Sequence, residues 1–208
     1  MGGGFLSKER RKLLENVWDA TCYNLFGMSE MFGPIAAECT FRDGMHYRND
    51  YLFIEVIDPV THKPTQNGEI GIAVYSSLWQ KGFPLLRYWS DDFISINMET
   101  CKCGSSLPRL YFHGKMADHI YSQGVYVFPE HVENILFENG FIGDYKVKIS
   151  NEKVEVLIES SKTNNTDTIV VQLTKLLSKR VEVIFLPYGA LNYSSFGNRF
   201  EITQDWRK

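Results

Sequence analysis

The spacing of apolar positions changes character along the chain, and each change predicts a different element. Near the start, SKERRKLLENVW carries Leu13, Leu14, Val17 and Trp18 on one face behind Ser7, a good helix N-cap, which predicts an amphipathic helix. The glycines before it, Gly2 to Gly4, suit either a flexible terminus or a backbone that passes close to a ligand. In CYNLFGMSEMFGP the apolar run Cys22, Tyr23, Leu25 and Phe26 predicts a short buried strand that breaks at Gly27. The chain then presents Ser29 and Glu30 ahead of a second break at Gly33 and Pro34. From 38 to 112, short strand-like runs such as YLFIEVID, IGIAVYSSL, FPLLRYWSDDFISI and PRLYFHG alternate with turn signals. Strands at such close spacing predict a small antiparallel, barrel-like subdomain.

Past Gly114 the pattern changes. HIYS and VYVF read as short strands, and PEHVENILFENG as a helix opened by Pro129 and stopped at Gly140. DYKVKIS and KVEVLIES predict a hairpin across Asn151 and Glu152, TIVVQLTKLLSKR a helix, and VEVIFLP a last strand. The order βαββαβ matches a ferredoxin-like plan. The fold class expected is therefore α+β, with a barrel-like subdomain in residues 1–113 and a ferredoxin-like domain in 114–208. The tail, YGALNYSSFGNRFEITQDWRK, is either a frayed end or a functional loop.

Composition narrows the function. With 208 residues, 44% of them hydrophobic, the chain can bury a core, and its formal net charge of -3 without a basic stripe argues against nucleic acid or an acidic membrane surface as partner. No apolar run has transmembrane length, and the start lacks a signal-peptide core. A cytoplasmic location follows as the expectation, and there Cys22, Cys39, Cys101 and Cys103 stay reduced.

Several residues carry candidate chemistry. Glu30, after a glycine break, suits a magnesium ligand, since that ion takes carboxylate oxygens beside waters and substrate phosphates; it equally suits an exposed turn. Asp91 and Asp92 follow a strand, where a carboxylate can accept both hydroxyls of a ribose, or simply cap a polar turn. Gly124 lets the backbone approach a ligand. Cys101 and Cys103, with Cys39 and His46 from another hairpin, make a candidate tetrahedral zinc set, the alternative being free thiols. Cys22 is expected in the core, and neither His62 nor His113 has a partner visible in the sequence.

Taken in order, FGMSE, ECTFRDGMHY, IDPVTHKPTQNGEIG, FPLLRYWSDDF, CKCGSSLPR and QGVYVFPEHVE resemble the C-terminal half of phenylacetate-CoA ligase-like enzymes of the adenylate-forming superfamily, over essentially the whole chain. The resemblance implies binding of ATP and a small carboxylic acid, formation of an acyl-adenylate with loss of pyrophosphate, and transfer of the acyl group to the thiol of coenzyme A. It also implies a small C-terminal domain that rotates between the half-reactions as a lid. FGMSE resembles the family's YGMTE motif: Phe26, Gly27 and Met28 would face adenine and the acyl group, Ser29 a phosphate oxygen, and Glu30 would hold magnesium. Gly4 would belong to the adenine-side loop. Asp92 would bind ribose, Lys115 would stand for a ribose-contacting arginine, and Gly124 would line the path of pantetheine.

The chain departs from the family pattern in three respects. The Ser/Thr/Gly-rich phosphate loop has no counterpart in these 208 residues. Ala117 stands at the hinge aspartate, leaving Asp118. Asn198, in SSFGNRF, stands at the lysine that stabilises charge during adenylation, a task for which a neutral amide is unsuited. Two functions follow as expectations. One is the C-terminal part of such a ligase, inactive alone and acting with a separate N-terminal half or as a homo-oligomer. The other is a degenerate, non-catalytic homologue that binds a nucleotide or a protein partner. The acyl acceptor is coenzyme A or a carrier protein.

Overall fold

The computed structural model describes residues 6–150, 153–161, 165–191 and 199–202. Gly4 and Asn198 lie outside them. Contacts divide the chain into two units, one formed by residues 14–116 and the other by 7–13 with 117 onward.

The first helix, α1 (Lys8–Trp18), is capped as its sequence predicts, with the Arg10 N–H donating to Ser7 Oγ at 3.1 Å. Its apolar face is not a core face: none of its residues is buried, and Val17 and Trp18 are 66% and 75% exposed.

The first unit holds a seven-stranded antiparallel sheet. Its strands are β1 (Leu25–Met28), β2 (Gly33–Glu38), β3 (Met45–Tyr47), β4 (Leu52–Ile57), β5 (Gly71–Ser77), β6 (Tyr88–Asn97) and β7 (Arg109–Lys115), in the order β1-β2-β3-β7-β6-β5-β4. The expected barrel does not close. β1 and β4 are the edges of an open sheet, and no ladder joins them. Bulges at Phe26/Gly27, Ile72/Val74 and Phe93/Ile94 supply curvature. Curvature lets the sheet wrap a core of Ala36, Leu52, Ile54, Tyr75, Ile94 and Leu110, yet closure also needs hydrogen bonds between the edges. β5 is buried along its whole length, whereas β1 alternates exposed and half-buried positions. The apolar run around Phe26 is thus an edge strand and not a buried one, and Cys22 is half-buried ahead of it.

The second unit contains β8 (Ile120–Ser122), β9 (Val125–Val127), α2 (Pro129–Glu138), β10 (Tyr145–Ile149), β11 (Val154–Glu159), α3 (Thr166–Leu177), β12 (Val181–Leu186) and β13 (Phe200–Ile202). The chain order follows the expected βαββαβ run, but the strand pairing differs from a ferredoxin-like sheet. β8 and β9 form a sheet of their own, and the four-stranded sheet runs β12-β11-β10-β13. The tail therefore supplies a strand, with Val147 opposite Phe200 in a parallel ladder. Asp118 helps to hold it there by accepting the Phe200 N–H at 2.9 Å, and burial raises the pKa of that carboxyl above its ordinary value. The β10–β11 hairpin forms in the predicted place, and the apolar faces of both helices join Val147, Val156 and Ile158 in one core.

Candidate functional site

The Ser29–Glu30 pair sits on a single 3-10 turn, Ser29–Met31, between β1 and β2. Gly27 makes that turn possible. A Cβ there would stand 2.4 Å from the Gly33 carbonyl oxygen and 2.7 Å from Pro34 Cα, so only glycine lets the two strands approach so closely. Ser29 and Glu30 are both exposed, and Met31 is buried beneath them. Phe26 stacks on Phe112 with centroids 5.3 Å apart, and Met28 packs partly against the core. Both therefore shape the loop from below.

The neighbouring residues on β6 complete this face. Tyr88, Ser90 and Asp92 alternate with exposed Trp89 and Asp91, so the first three point to the same side of the strand. The Tyr88 hydroxyl donates to Glu30 Oε1 at 3.5 Å. Desolvation, and then the negative charge of Glu30, pushes the Tyr88 phenol above its ordinary pKa, with Asp91 and Asp92 adding to it. Asp92 is buried; its Oδ1 accepts from Lys115 Nζ at 2.7 Å, and the two residues are direct cross-strand partners. Its own N–H donates to Ser90 Oγ at 3.2 Å, while the Ser90 hydroxyl donates to the Ala73 carbonyl at 2.9 Å. The result is a row of groups, Glu30, Tyr88, Asp92 and Lys115, that offers an exposed carboxylate, a phenol and a seated carboxylate–ammonium pair. Tyr88 is the member that the motif reading passed over. Strand alternation signals it, because it lies four residues before Asp92 on the same face.

Gly124 shares a two-residue hairpin turn with Gln123, at φ +82° and +49°, joining Ser122 to Val125. Left-handed conformations at both positions characterise a type I′ turn and account for the glycine on local grounds.

Cys39, His46, Cys101 and Cys103 converge, with their ligand atoms all within 4.8 Å of one another. Cys39 directly follows β2, His46 lies on β3, and the two other cysteines occupy the loop between β6 and β7. The pairing of His46 with Arg109 is what brings the two loops together. The Cys39 and Cys101 sulfurs are 3.9 Å apart, and Cys103 Sγ lies 3.5 Å from His46 Nε2. Two sulfurs held at about 2.3 Å by one tetrahedral zinc would be separated by about 3.8 Å, and a sulfur and a nitrogen by about 3.6 Å. His46 Nδ1 lies 3.1 Å from the Leu107 carbonyl, so the ring donates there and leaves Nε2 with a lone pair toward the cluster. The Cys103 N–H, with help from Arg109, lowers the Cys101 thiol pKa. Burial raises that of Cys39, but the Phe41 N–H and His46 outweigh it, for a net downward shift. Arg109, buried and ion-paired with Asp43, went unnoticed in the sequence because its nearness to the thiols depends on strand register. Of the other histidines, His113 Nε2 lies 2.9 Å from Ser95 Oγ, and the His62 ring lies 5.7 Å from that of Trp89.

No family model matches the chain. Four curated relatives are all named phenylacetate-coenzyme A ligase. That of Thermus thermophilus is 35% identical over 129 residues, covering 61% of this chain and 29% of the relative. That of Pseudomonas putida is 27% identical over 167 residues, covering 79% of this chain and 35% of the relative. Among solved structures, 2-hydroxyisobutyryl-CoA ligase in its postadenylation state with 2-HIB-AMP superposes with a TM-score of 0.78 at 21% identity, over 96% of this chain and 46% of that one. The anthranilate CoA ligase AuaEII in complex with anthranoyl-AMP gives 0.61 at 13% identity, over 92% of this chain and 41% of that one. The resemblance to phenylacetate-CoA ligases read from the motifs is thus borne out, and the fold is shared with CoA ligases. The chain spans about a third of the length of the curated relatives it matches. No helix among the described residues is long and apolar enough to cross a membrane.

Proposed function

We propose that the chain is the C-terminal part of an adenylate-forming acid–thiol ligase and supplies one wall of its nucleotide site. In such a reaction a carboxylate oxygen of the acid attacks the α-phosphorus of ATP, and pyrophosphate leaves with the bonding electrons. A thiol then attacks the acyl carbon and AMP departs. The observation that carries this reading is the alignment of Glu30, Tyr88, Asp92 and Lys115 on one face, in the order in which the family's motifs bring them. Glu30 is the exposed oxygen ligand for magnesium, which supplies charge neutralisation on the phosphates when bound. Tyr88, hydrogen-bonded to Glu30, orients that carboxylate. Asp92 accepts from the ribose hydroxyls, and Lys115, bonded to it, keeps it in place. Ser29 faces a phosphate oxygen from the same turn, and Phe26, Gly27 and Met28 shape the adenine and acyl side. Residues 114–208 act as the lid, and Gly124 lines the path of pantetheine.

The donor set and spacing of Cys39, His46, Cys101 and Cys103 fit a structural zinc that ties the β2–β3 turn to the β6–β7 loop. The thiol pKa is lowered at Cys39 and Cys101 and raised at Cys103, so two of the three cysteines are disposed toward the thiolate a metal takes. A four-ligand cluster of this kind leaves no coordination position for substrate, so it contributes stability and takes no part in the ligation.

A second reading, a non-catalytic homologue that binds a nucleotide or a protein, is favoured by Asn198 at the lysine position and Ala117 at the hinge aspartate. Acid-dependent ATP–pyrophosphate exchange separates the two. The chain mixed with an N-terminal ligase portion exchanges label, and Glu30→Ala abolishes the exchange. Silence of the mixture, with Asn198→Lys silent as well, overturns the enzymatic reading.

A further inference from the structure

Beneath the Glu30–Asp92 face lies a polar atom that none of the described residues satisfies. Tyr75, on β5, pairs directly with Tyr88 on β6. Cross-strand partners project to the same face, so Tyr75 shares the side of Tyr88, Ser90 and Asp92. It belongs to the core against which Phe26, Met28 and Tyr88 pack, and it is 0% exposed. Its hydroxyl is buried and makes no hydrogen bond among the described residues. Ser90, near enough to ease ionisation of the phenol, gives its proton to the Ala73 carbonyl and accepts the Asp92 N–H. Burial, and after it the charge of Asp92, holds the Tyr75 phenol well above its ordinary pKa. The hydroxyl therefore keeps its proton and remains a donor. A buried donor left unpaired loses its hydration without return, and phenylalanine would fill the same volume without that loss.

Close to this donor stands Asp92, the carboxylate proposed above for ribose. Asp92 gives Oδ1 to Lys115 Nζ at 2.7 Å, and its Oδ2 accepts from none of the described residues. The lysine side chain is 59% exposed, so water can take over the ammonium if the carboxylate turns away. The buried phenol has no such recourse. We propose that Tyr75 is a positioning residue for Asp92: as the vicinal hydroxyls of a ribose draw the carboxylate off Lys115, the Tyr75 hydroxyl donates to it from the core side. The sugar then closes a hydrogen bond that the protein's own groups leave open, and part of the affinity for the diol resides in that unpaired donor. The inference rests on the nucleotide site proposed above and adds to it the residue that seats its aspartate.

The test measures AMP binding by equilibrium dialysis, and the thermal midpoint without ligand, for the parent chain and Tyr75→Phe. The variant is expected to melt at the parent temperature or above it, since it sheds an unpaired polar atom. Its affinity for AMP falls about tenfold, as loss of one hydrogen bond to a charged group implies. The 2′,3′-dideoxy analogue of AMP, which lacks the diol, binds parent and variant alike. Equal AMP affinity in the two proteins overturns the proposal and leaves the nucleotide site standing. An equal loss for AMP and its dideoxy analogue also overturns it, because the hydroxyl then serves packing alone. A thermal midpoint several degrees lower in Tyr75→Phe overturns it without any ligand, since the hydroxyl then has a partner, Ser90 or a buried water, in the protein alone. A parent chain that binds no AMP removes the nucleotide site, and the inference falls with it.

Discussion

Two clusters of functional side chains occupy the same sheet, and they differ in completeness. The cysteine–histidine cluster draws all four donors from two loops held together by the β3–β7 ladder, at separations that already suit one tetrahedral ion. The Glu30–Tyr88–Asp92–Lys115 face is open on its outer side: its inner carboxylate is buried and paired, while its outer one is exposed. A site whose ligands lie on neighbouring hairpins comes whole with the hairpins. A row of groups along one strand and its neighbours has no such closure built into its ladder.

The largest expected effect probes the complete cluster. Protein purified without added zinc carries close to one zinc per chain by metal analysis, and Cys101→Ser lowers that toward zero and the melting midpoint by about 10 °C or more. A metal content near zero in the parent protein removes the contrast altogether, since both sites would then be open.

Next in size is the turn that presents Glu30. Gly27→Ala places a methyl against the Gly33 carbonyl and is expected to cost roughly 1–3 kcal/mol in urea unfolding, with loss of nucleotide binding. If stability is unchanged, the β1–β2 hairpin yields more readily than its geometry implies. Lys115→Met leaves Asp92 buried without its cation. Because the lysine is 59% exposed and solvent screens the pair, about 1 kcal/mol is expected.

The smallest effect is on a titration. Glu30 raises the Tyr88 phenol by disfavouring a second negative charge, so Glu30→Gln should move the phenol downward from its raised position. Ultraviolet difference titration against Tyr88→Phe reads that shift. A phenol that does not move, or moves upward, breaks the link between Tyr88 and Glu30.

Much of the fold was legible where one local rule acts. Ser7 announces the helix it caps, Pro129 and Gly140 bound α2, and the alternation Tyr145–Val147–Ile149 against Val154–Val156–Ile158 announces the β10–β11 hairpin. The errors came where distant segments decide. Phe26 and Leu25 are apolar enough for an inner strand but lie on an edge, because nothing among the described residues pairs beyond β1. Phe200–Ile202 looked like tail, because its partner Val147 is more than fifty residues away. The same division holds for the sites. Glu30, Asp92 and the four metal-ligand candidates could be named from motif and residue type, and Tyr88 from alternation along its strand, whereas Arg109 needed strand pairing to join them.

What the sequence determined by itself is the set of local commitments: period, cap, turn and ligand chemistry all operate within a few residues of one another. Only the tertiary structure decided that the sheet stays open, that Asp92 faces Lys115, and that two loops some sixty residues apart converge on one point. Those outcomes depend on register and curvature, in which a shift of one residue turns a side chain to the opposite face. Local pattern carries no record of that choice; it is made when the strands pair.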